Sequence, residues 1–405
     1  MDSIGEIVES LALYSAGNAS PVERLCRSFG KVNARRAIAA FALAEQSGLT
    51  PLAVLEHAAV MAIDRAPLAA WAPELSYASE LARRGAVGGP GAGAQLVLAL
   101  VGAGLTGEFV FDFPFNERLM LAQWRFKCLG KTTIMVDAWS VSIVSGDEVY
   151  NFERVGRIWH LNNEPSRFVQ ASTVGRAIYV SGYNVDPEVL IFEDVALEAG
   201  NFQRGCADLD EAHRIVRLAG PEAFDWIQRL ITTVSMVESH GGARLSSRSV
   251  SARSGNIEMA VPGDQLHIAE LLVHEAAHQH FQLANLLDPL MLPVGADQLF
   301  LSALNGRQRP ILRVLLAYHA VANIFLFLDS LAEASRLWTE RAIWRLRQLG
   351  PTSAHLIATL GEHRDLLTAN GDAFFLKMAE ISQVIALKYQ LPSERDESVV
   401  VPGVG

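Results

Sequence analysis

The residues best suited to chemistry lie in one run, Leu271-Leu272-Val273-His274-Glu275-Ala276-Ala277-His278-Gln279-His280. Its core reads His-Glu-x-x-His. Helical residues four apart share a face, so His274 and His278 can offer two imidazoles to one metal ion. Glu275 stands one step round, within reach of a metal-bound water. Such a set suits metal-assisted hydrolysis, with the glutamate as general base. Two imidazoles also suit iron, so the pattern leaves zinc and iron both open. The bland alternative is a chance match in which core histidines are satisfied by ordinary hydrogen bonds.

The motif needs a helix to present it, and the flanks supply one. Pro262-Gly263 breaks the chain, and Asp264 can cap a helix that runs to about Leu287. Asp288-Pro289 ends it. Ile268, Leu271, Leu272, Ala276, Phe281, Leu283, Leu286 and Leu287 make it largely apolar, which predicts a buried helix. Two histidines and a glutamate on a buried helix are costly unless paired or liganded.

A third ligand does not follow from the usual spacings. A metzincin needs a glycine and a histidine three and six residues beyond His278, where this chain has Phe281 and Ala284. A thermolysin-like enzyme takes a glutamate about twenty residues on, and none occurs between Glu275 and Glu333. Asp288, Asp297 and His319 remain. Asp288 reads as the helix stop. Asp297 falls in a Gly295-Ala296-Asp297 loop. His319 falls in a second apolar helix, Pro310 to about Leu331, and is the better donor, with Asp297 the alternative. His267 lies two turns before His274 on the same face and is a supporting or alternative group. At the head of the second helix, Arg309 can act as a bidentate carboxylate clamp; a plain surface arginine is the alternative. An enzyme that binds a 2-oxoacid on its metal gains more from such a clamp than a hydrolase does.

The 405 residues are enough for two or three domains with real cores, and 50% hydrophobic against 19% charged is a globular composition. A formal net charge of −10 without a Lys/Arg run argues against nucleic-acid binding. Cys26, Cys128 and Cys206 have no CxxC spacing, which predicts reduced structural thiols in a cytoplasmic protein. The acidic N-terminus lacks a signal-peptide shape. The apolar stretch Ala92 to Leu105 is too short and glycine-rich to span a membrane.

Residues 1–107 read as a helical region, with Ala34–Ala44 rich in helix formers and Gly88–Gly93 as a loop or hinge. Gly102-Ala103-Gly104-Leu105-Thr106-Gly107 is a literal GxGxxG. It is followed by the strand-like alternation Glu108–Phe115 rather than by the helix a dinucleotide site requires. Residues 108–205 read as β-rich, with strands at Thr132–Val136, Val141–Val144, Ala177–Ser181 and Val189–Phe192, and a turn at Ser145-Gly146-Asp147. Arg157, Trp159 and His160 line a groove or, more simply, serve structure. Residues 206–395 read as the helical region carrying the motif. Within it Asp208 to about Glu238 is expected to be helix and Ile257–Val261 an edge strand along the site, where an extended peptide can pair. The fold class expected is α+β, helix-rich, with a central β region and a C-terminal helical metal-binding part.

Ala269–His278, Leu287-Asp288-Pro289-Leu290 and the Arg309-Pro310-Ile311 turn together resemble the HExxH-motif peptide-modification proteins. These are 2-oxoglutarate-dependent HExxH-type peptide β-hydroxylases of ribosomal peptide natural-product pathways. The resemblance covers roughly residues 245–335. Where that family often carries Trp-Arg ahead of the Arg-Pro turn, this chain has Leu304-Asn305. The resemblance implies iron(II) on His274 and His278, a 2-oxoglutarate carboxylate on Arg309, and a precursor peptide as substrate. A zinc metallopeptidase using Glu275 as base and a noncatalytic peptide-binding protein are the competing expectations.

Overall fold

Apolar residues collect into two separate cores in a computed structural model. It describes residues 4–14, 19–43, 52–67, 71–122, 124–155, 158–162, 169–171, 179–181, 198–238, 247–249, 254–261, 263–295, 298–301 and 308–392. Helices come first: α1 (Ile4–Ser10), α2 (Ala19–Leu43), α3 (Leu52–Arg65), α4 (Pro73–Ala82) and α5 (Gly89–Val101). An antiparallel meander follows, β1 (Gly107–Leu121), β2 (Trp124–Val136), β3 (Ser140–Ser145), β4 (Glu148–Val155) and β5 (Ile158–Leu161), paired in chain order. Short strands β6 (Val169–Ala171) and β7 (Tyr179–Ser181) precede α6 (Ala199–Ala219), α7 (Pro221–Leu230), β8 (Thr233–Glu238), β9 (Ser247–Ser249) and β10 (Asn256–Val261). The motif helix is α8 (Gln265–Leu287). A hairpin, β11 (Leu299–Leu301) with β12 (Gln308–Pro310), leads to α9 (Ile311–Ala334), α10 (Thr339–Glu362) and α11 (Ala369–Tyr389). The fold is α+β and helix-rich, as the sequence predicts.

In the first core, α2–α5 cover one face of the meander. Phe41, Leu96, Phe111, Ile134, Val141 and Ile143 are all buried there. In β3 the burial alternates residue by residue, with Val141 and Ile143 inward, as a sheet with one covered face requires. The second core holds α6–α11 and the other sheet, ordered β6-β7-β8-β10-β9. Val8, Leu11, Cys26 and Trp71 pack into this second core although they come early in the chain.

Several sequence expectations change. Gly88–Gly93 is no hinge: Gly88 precedes α5, and Gly89–Gly93 form its buried first turn. Glycine is used there for close packing, since a Cβ on Gly93 would lie 2.8 Å from the Phe41 ring and 3.1 Å from Phe111. The GxGxxG run joins a helix end to a strand start, the reverse of a dinucleotide-binding turn. Thr233–Glu238 is strand rather than helix, paired in parallel with β10. β10 is not an edge: it lies between β8 and β9, all six of its residues are buried, and β9 forms the margin. Trp159 is buried in the first core, and its carbonyl accepts from Trp124 Nε1, so it serves structure rather than a groove. Arg157 and Val189–Phe192 lie outside the described residues.

Among the described residues the helix long and apolar enough to cross a membrane is α9, not the Ala92–Leu105 stretch. In α9, 78% of the most apolar window is buried inside the protein. The three cysteines are free and buried. Burial pushes each thiol up to about 12, which leaves them unreactive.

His213 of α6 is fully buried against Phe224, and burial pushes its pKa down to about 4. An unfolded histidine takes its proton near pH 6.5, so between pH 6.5 and 4 only the unfolded chain is protonated at this position. Its stabilising contribution is complete above pH 6.5 and is lost on acidification, by roughly 3 kcal/mol at pH 4. Urea unfolding across this range should show that loss, and His213→Gln should flatten the slope.

Candidate metal centre

α8 starts where the sequence predicts. The Asp264 side chain accepts the His267 backbone N–H at 3.0 Å, satisfying one of the donors a helix start leaves open. Asp288 adopts an extended conformation and ends it. Between these ends the helix is packed by α6, α7, α9 and β9. Leu272, Ala276, Ala277 and Ala284 are fully buried.

On this helix His274 and His278 stand together, with ring centroids 4.4 Å apart and planes at 75°. A ligand atom from each of His274, Glu275 and His278 lies within 4.8 Å of the other two, so the three could hold one ion. Both imidazoles are partly exposed, whereas Glu275 is 1% exposed. Burial pushes the pKa of His274 down, opposed by the charge of Glu275. That of His278 is held well below the usual range, by burial first and then by His274, His319, Arg313 and Arg309. Neutral imidazoles present the lone pairs a metal needs. Among the described residues His278 Nδ1 and Glu275 Oε2 are both buried without a hydrogen-bond partner, an arrangement a bound ion would satisfy. Two nitrogens and an oxygen suit either iron(II) or zinc.

The other nominated residues fall differently. His319 is buried on α9, as expected, but stays outside the three-residue group. Its Nε2 bonds the Leu11 carbonyl at 3.1 Å, and its ring packs on Phe374 and Phe281. Burial pushes its pKa down to about 4. Arg309 does not begin α9. It sits in β12 opposite Phe300, one residue before the Pro310 cap. It is half-buried, makes no ion pair or side-chain hydrogen bond among the described residues, and lies near enough to depress the pKa of His278. Asp297 lies outside the described residues. Asp288 accepts from Asn370 Nδ2 at 2.6 Å, which locks the helix stop to α11. His267 Nδ1 stands 3.8 Å from the Glu270 carboxylate.

Polar groups that the sequence reading passed over support the centre from several elements. Glu270, one turn before His274, is buried, and both its oxygens accept from Arg345 Nε of α10, at 3.0 and 2.7 Å. Gln279 Oε1 accepts from Trp71 Nε1 at 2.9 Å and from the Gly255 backbone N–H at 3.0 Å. Gly255 has φ +78, and a Cβ there would stand 2.5 Å from the Trp71 carbonyl, so the turn requires glycine. His280 stacks on Trp226 at 4.1 Å and 3°, with its Nε2 3.2 Å from the Trp226 carbonyl. Ser247 of β9 donates to Glu275 Oε1 at 2.6 Å. Only Glu270 carried a sequence signal, a carboxylate four residues before His274 on an apolar helix. The partners of Glu270, Gln279, His280 and Glu275 lie far off in sequence or at unremarkable positions.

No protein-family model matches the chain, and a search of curated proteins finds no relative.

The Glu270–Arg345 pair leads to a definite outcome. Removing one partner strands a buried charge, at a cost of about 3–5 kcal/mol. Arg345→Met should lower the free energy of unfolding by about that amount, whereas Arg345→Met with Glu270→Gln should recover most of it. Urea titration of the three proteins at pH 7.5 measures both.

Proposed function

We propose that the chain is an iron(II)- and 2-oxoglutarate-dependent oxygenase that β-hydroxylates a residue of a ribosomally made precursor peptide. The observation that carries this reading is the pairing of two centres. A His274/His278 pair with a Glu275 oxygen within 4.8 Å lies within electrostatic reach of Arg309, a guanidinium with no counter-ion among the described residues. The resemblance of residues 245–335 to the HExxH-type peptide hydroxylases supports it, and no family match does.

His274 and His278 would hold the metal, with Glu275 beside it. Arg309 would take the far carboxylate of 2-oxoglutarate. Iron(II) with 2-oxoglutarate supplies the oxidising power of dioxygen, and the overall change is peptide C–H, dioxygen and 2-oxoglutarate to peptide C–OH, succinate and carbon dioxide. The chain's own residues do the rest. Burial lowers the pKa of both imidazoles and so favours their neutral, metal-binding form, and Glu275 offers a carboxylate oxygen to the same group. His319 packs α9 on α8 behind the pair.

A zinc peptidase would use the same three residues, with Glu275 as base, and would have no use for Arg309. That reading rests on the same cluster, and the experiments separate the two.

His274→Ala and His278→Ala should each abolish stoichiometric metal binding in otherwise folded protein, measured by metal analysis after anaerobic purification. Retained metal in both would remove the centre.

Arg309→Lys keeps the charge and loses the fork. It should weaken 2-oxoglutarate binding about ten- to a hundredfold while iron binding stays near normal. The measurement is titration of 2-oxoglutarate into the anaerobic iron(II) protein, followed by charge-transfer absorbance. No 2-oxoglutarate binding by the wild type overturns the oxygenase reading. Peptide cleavage by the zinc-loaded wild type, collapsing about 10²–10⁴-fold in Glu275→Gln, establishes the peptidase instead.

A further inference from the structure

Glu275 is the most constrained group of the centre, and its constraint comes from outside the motif. Its carboxylate is 1% exposed, so each oxygen must find a partner inside the protein. Oε1 accepts the Ser247 hydroxyl at 2.6 Å, in the range of short charge-assisted O–H···O⁻ bonds. Oε2 is buried with no partner among the described residues. One carboxylate oxygen lies within 4.8 Å of a nitrogen of both His274 and His278.

The strand that brings Ser247 is suited to this task. β9 is the margin of the second sheet and packs directly against α8. Ser247 is paired in antiparallel register with Met259, a core residue. Directly opposed residues project to the same side of a sheet, so the hydroxyl faces the core and α8. The carboxylate sits at the end of a side chain with three rotatable bonds, and its terminal torsion is soft. A donor on one oxygen therefore decides where the other one goes.

We infer that Ser247 is a positioning residue, one that fixes Glu275 so that its second oxygen is presented to the His274/His278 pair. This rests on the metal reading proposed above. It goes beyond that reading by placing control of the glutamate in a strand 28 residues away from it. Without the Ser247 donor, Glu275 keeps its place on the helix but loses its set orientation, while the two imidazoles remain as they are.

The test uses cobalt(II) loaded into the full chain, because its visible d–d bands report the geometry of the ligand field independently of turnover. Wild type, Ser247→Ala, and the near-isosteric pair Ser247→Thr and Ser247→Val are compared at pH 7.5. The last two share a β-branched shape suited to a strand and differ in the hydroxyl, so a packing role would move both alike. The expected result is one equivalent of cobalt in all four, with d–d bands shifted in Ser247→Ala and Ser247→Val and restored in Ser247→Thr. Turnover of the native-metal enzyme should fall about tenfold in kcat in the Ala and Val variants, with KM for the peptide within about twofold.

Cobalt bound with superimposable spectra in all four proteins overturns the role of Ser247 and leaves the metal centre standing. A shift common to Thr and Val assigns the effect to packing and also overturns it. A wild type that takes up no cobalt overturns the metal reading, and this inference with it. If Ser247→Ala does not fold, the Thr/Val comparison decides alone.

Discussion

A helix buried on every side can carry polar side chains only where other elements bring partners to them. α8 is largely such a helix, and four of its buried polar groups are met from four directions. α10 brings Arg345 to Glu270, and the 71–73 segment with the Gly255 turn meets Gln279. α7 brings Trp226 to His280, β9 brings Ser247 to Glu275, and α9 with the N-terminal segment closes the side behind the histidine pair. Leaving any one buried group unpaired costs about 1–3 kcal/mol, and more for a charge. That cost makes the arrangement of these elements around α8 specific, where hydrophobic contact alone would tolerate sliding.

His274 and His278 stand apart from these groups, with no hydrogen bond from a neighbouring element among the described residues. Both are partly exposed, and burial lowers the pKa of each imidazole. Arg309 is comparable on a smaller scale. It is carried on a two-stranded ribbon at the mouth of α9, half-buried and without an ion pair among the described residues.

What the sequence disclosed was local. The Asp264 cap, the Asp288-Pro289 stop and the four-residue spacing of the histidines are short-range facts, and the structure reproduces the helix they define. Periodicity misled where packing overrode propensity. Gly88–Gly93 reads as a loop because glycine is usually a breaker, yet here it lets α5 approach Phe41 and Phe111. Thr233–Glu238 follows two helices and was taken with them, although it is the strand that pairs both β7 and β10. His319 was recognisable as a buried histidine beside the motif helix. That its Nε2 is engaged by the Leu11 carbonyl, 308 residues earlier, was not. Ser247, Arg345 and Trp71 became part of the site only through contacts no window of sequence contains.

The N-terminal segment has a consequence for the way the chain comes together. Leu11, Ala12 and Tyr14 are tied to α9 by His319 Nε2, Asn323 Nδ2 and Oδ1, and Ser330 Oγ. Synthesis delivers their partners on α9 more than 300 residues after them. Val8 and Leu11, both fully buried, belong to a core that α9 and α11 complete. Closing so long a loop is slow relative to local helix formation. The meander of residues 107–161, whose pairings run between neighbours in the chain, can finish well before it. The two sides of this long loop meet where the N-terminal segment packs on α9.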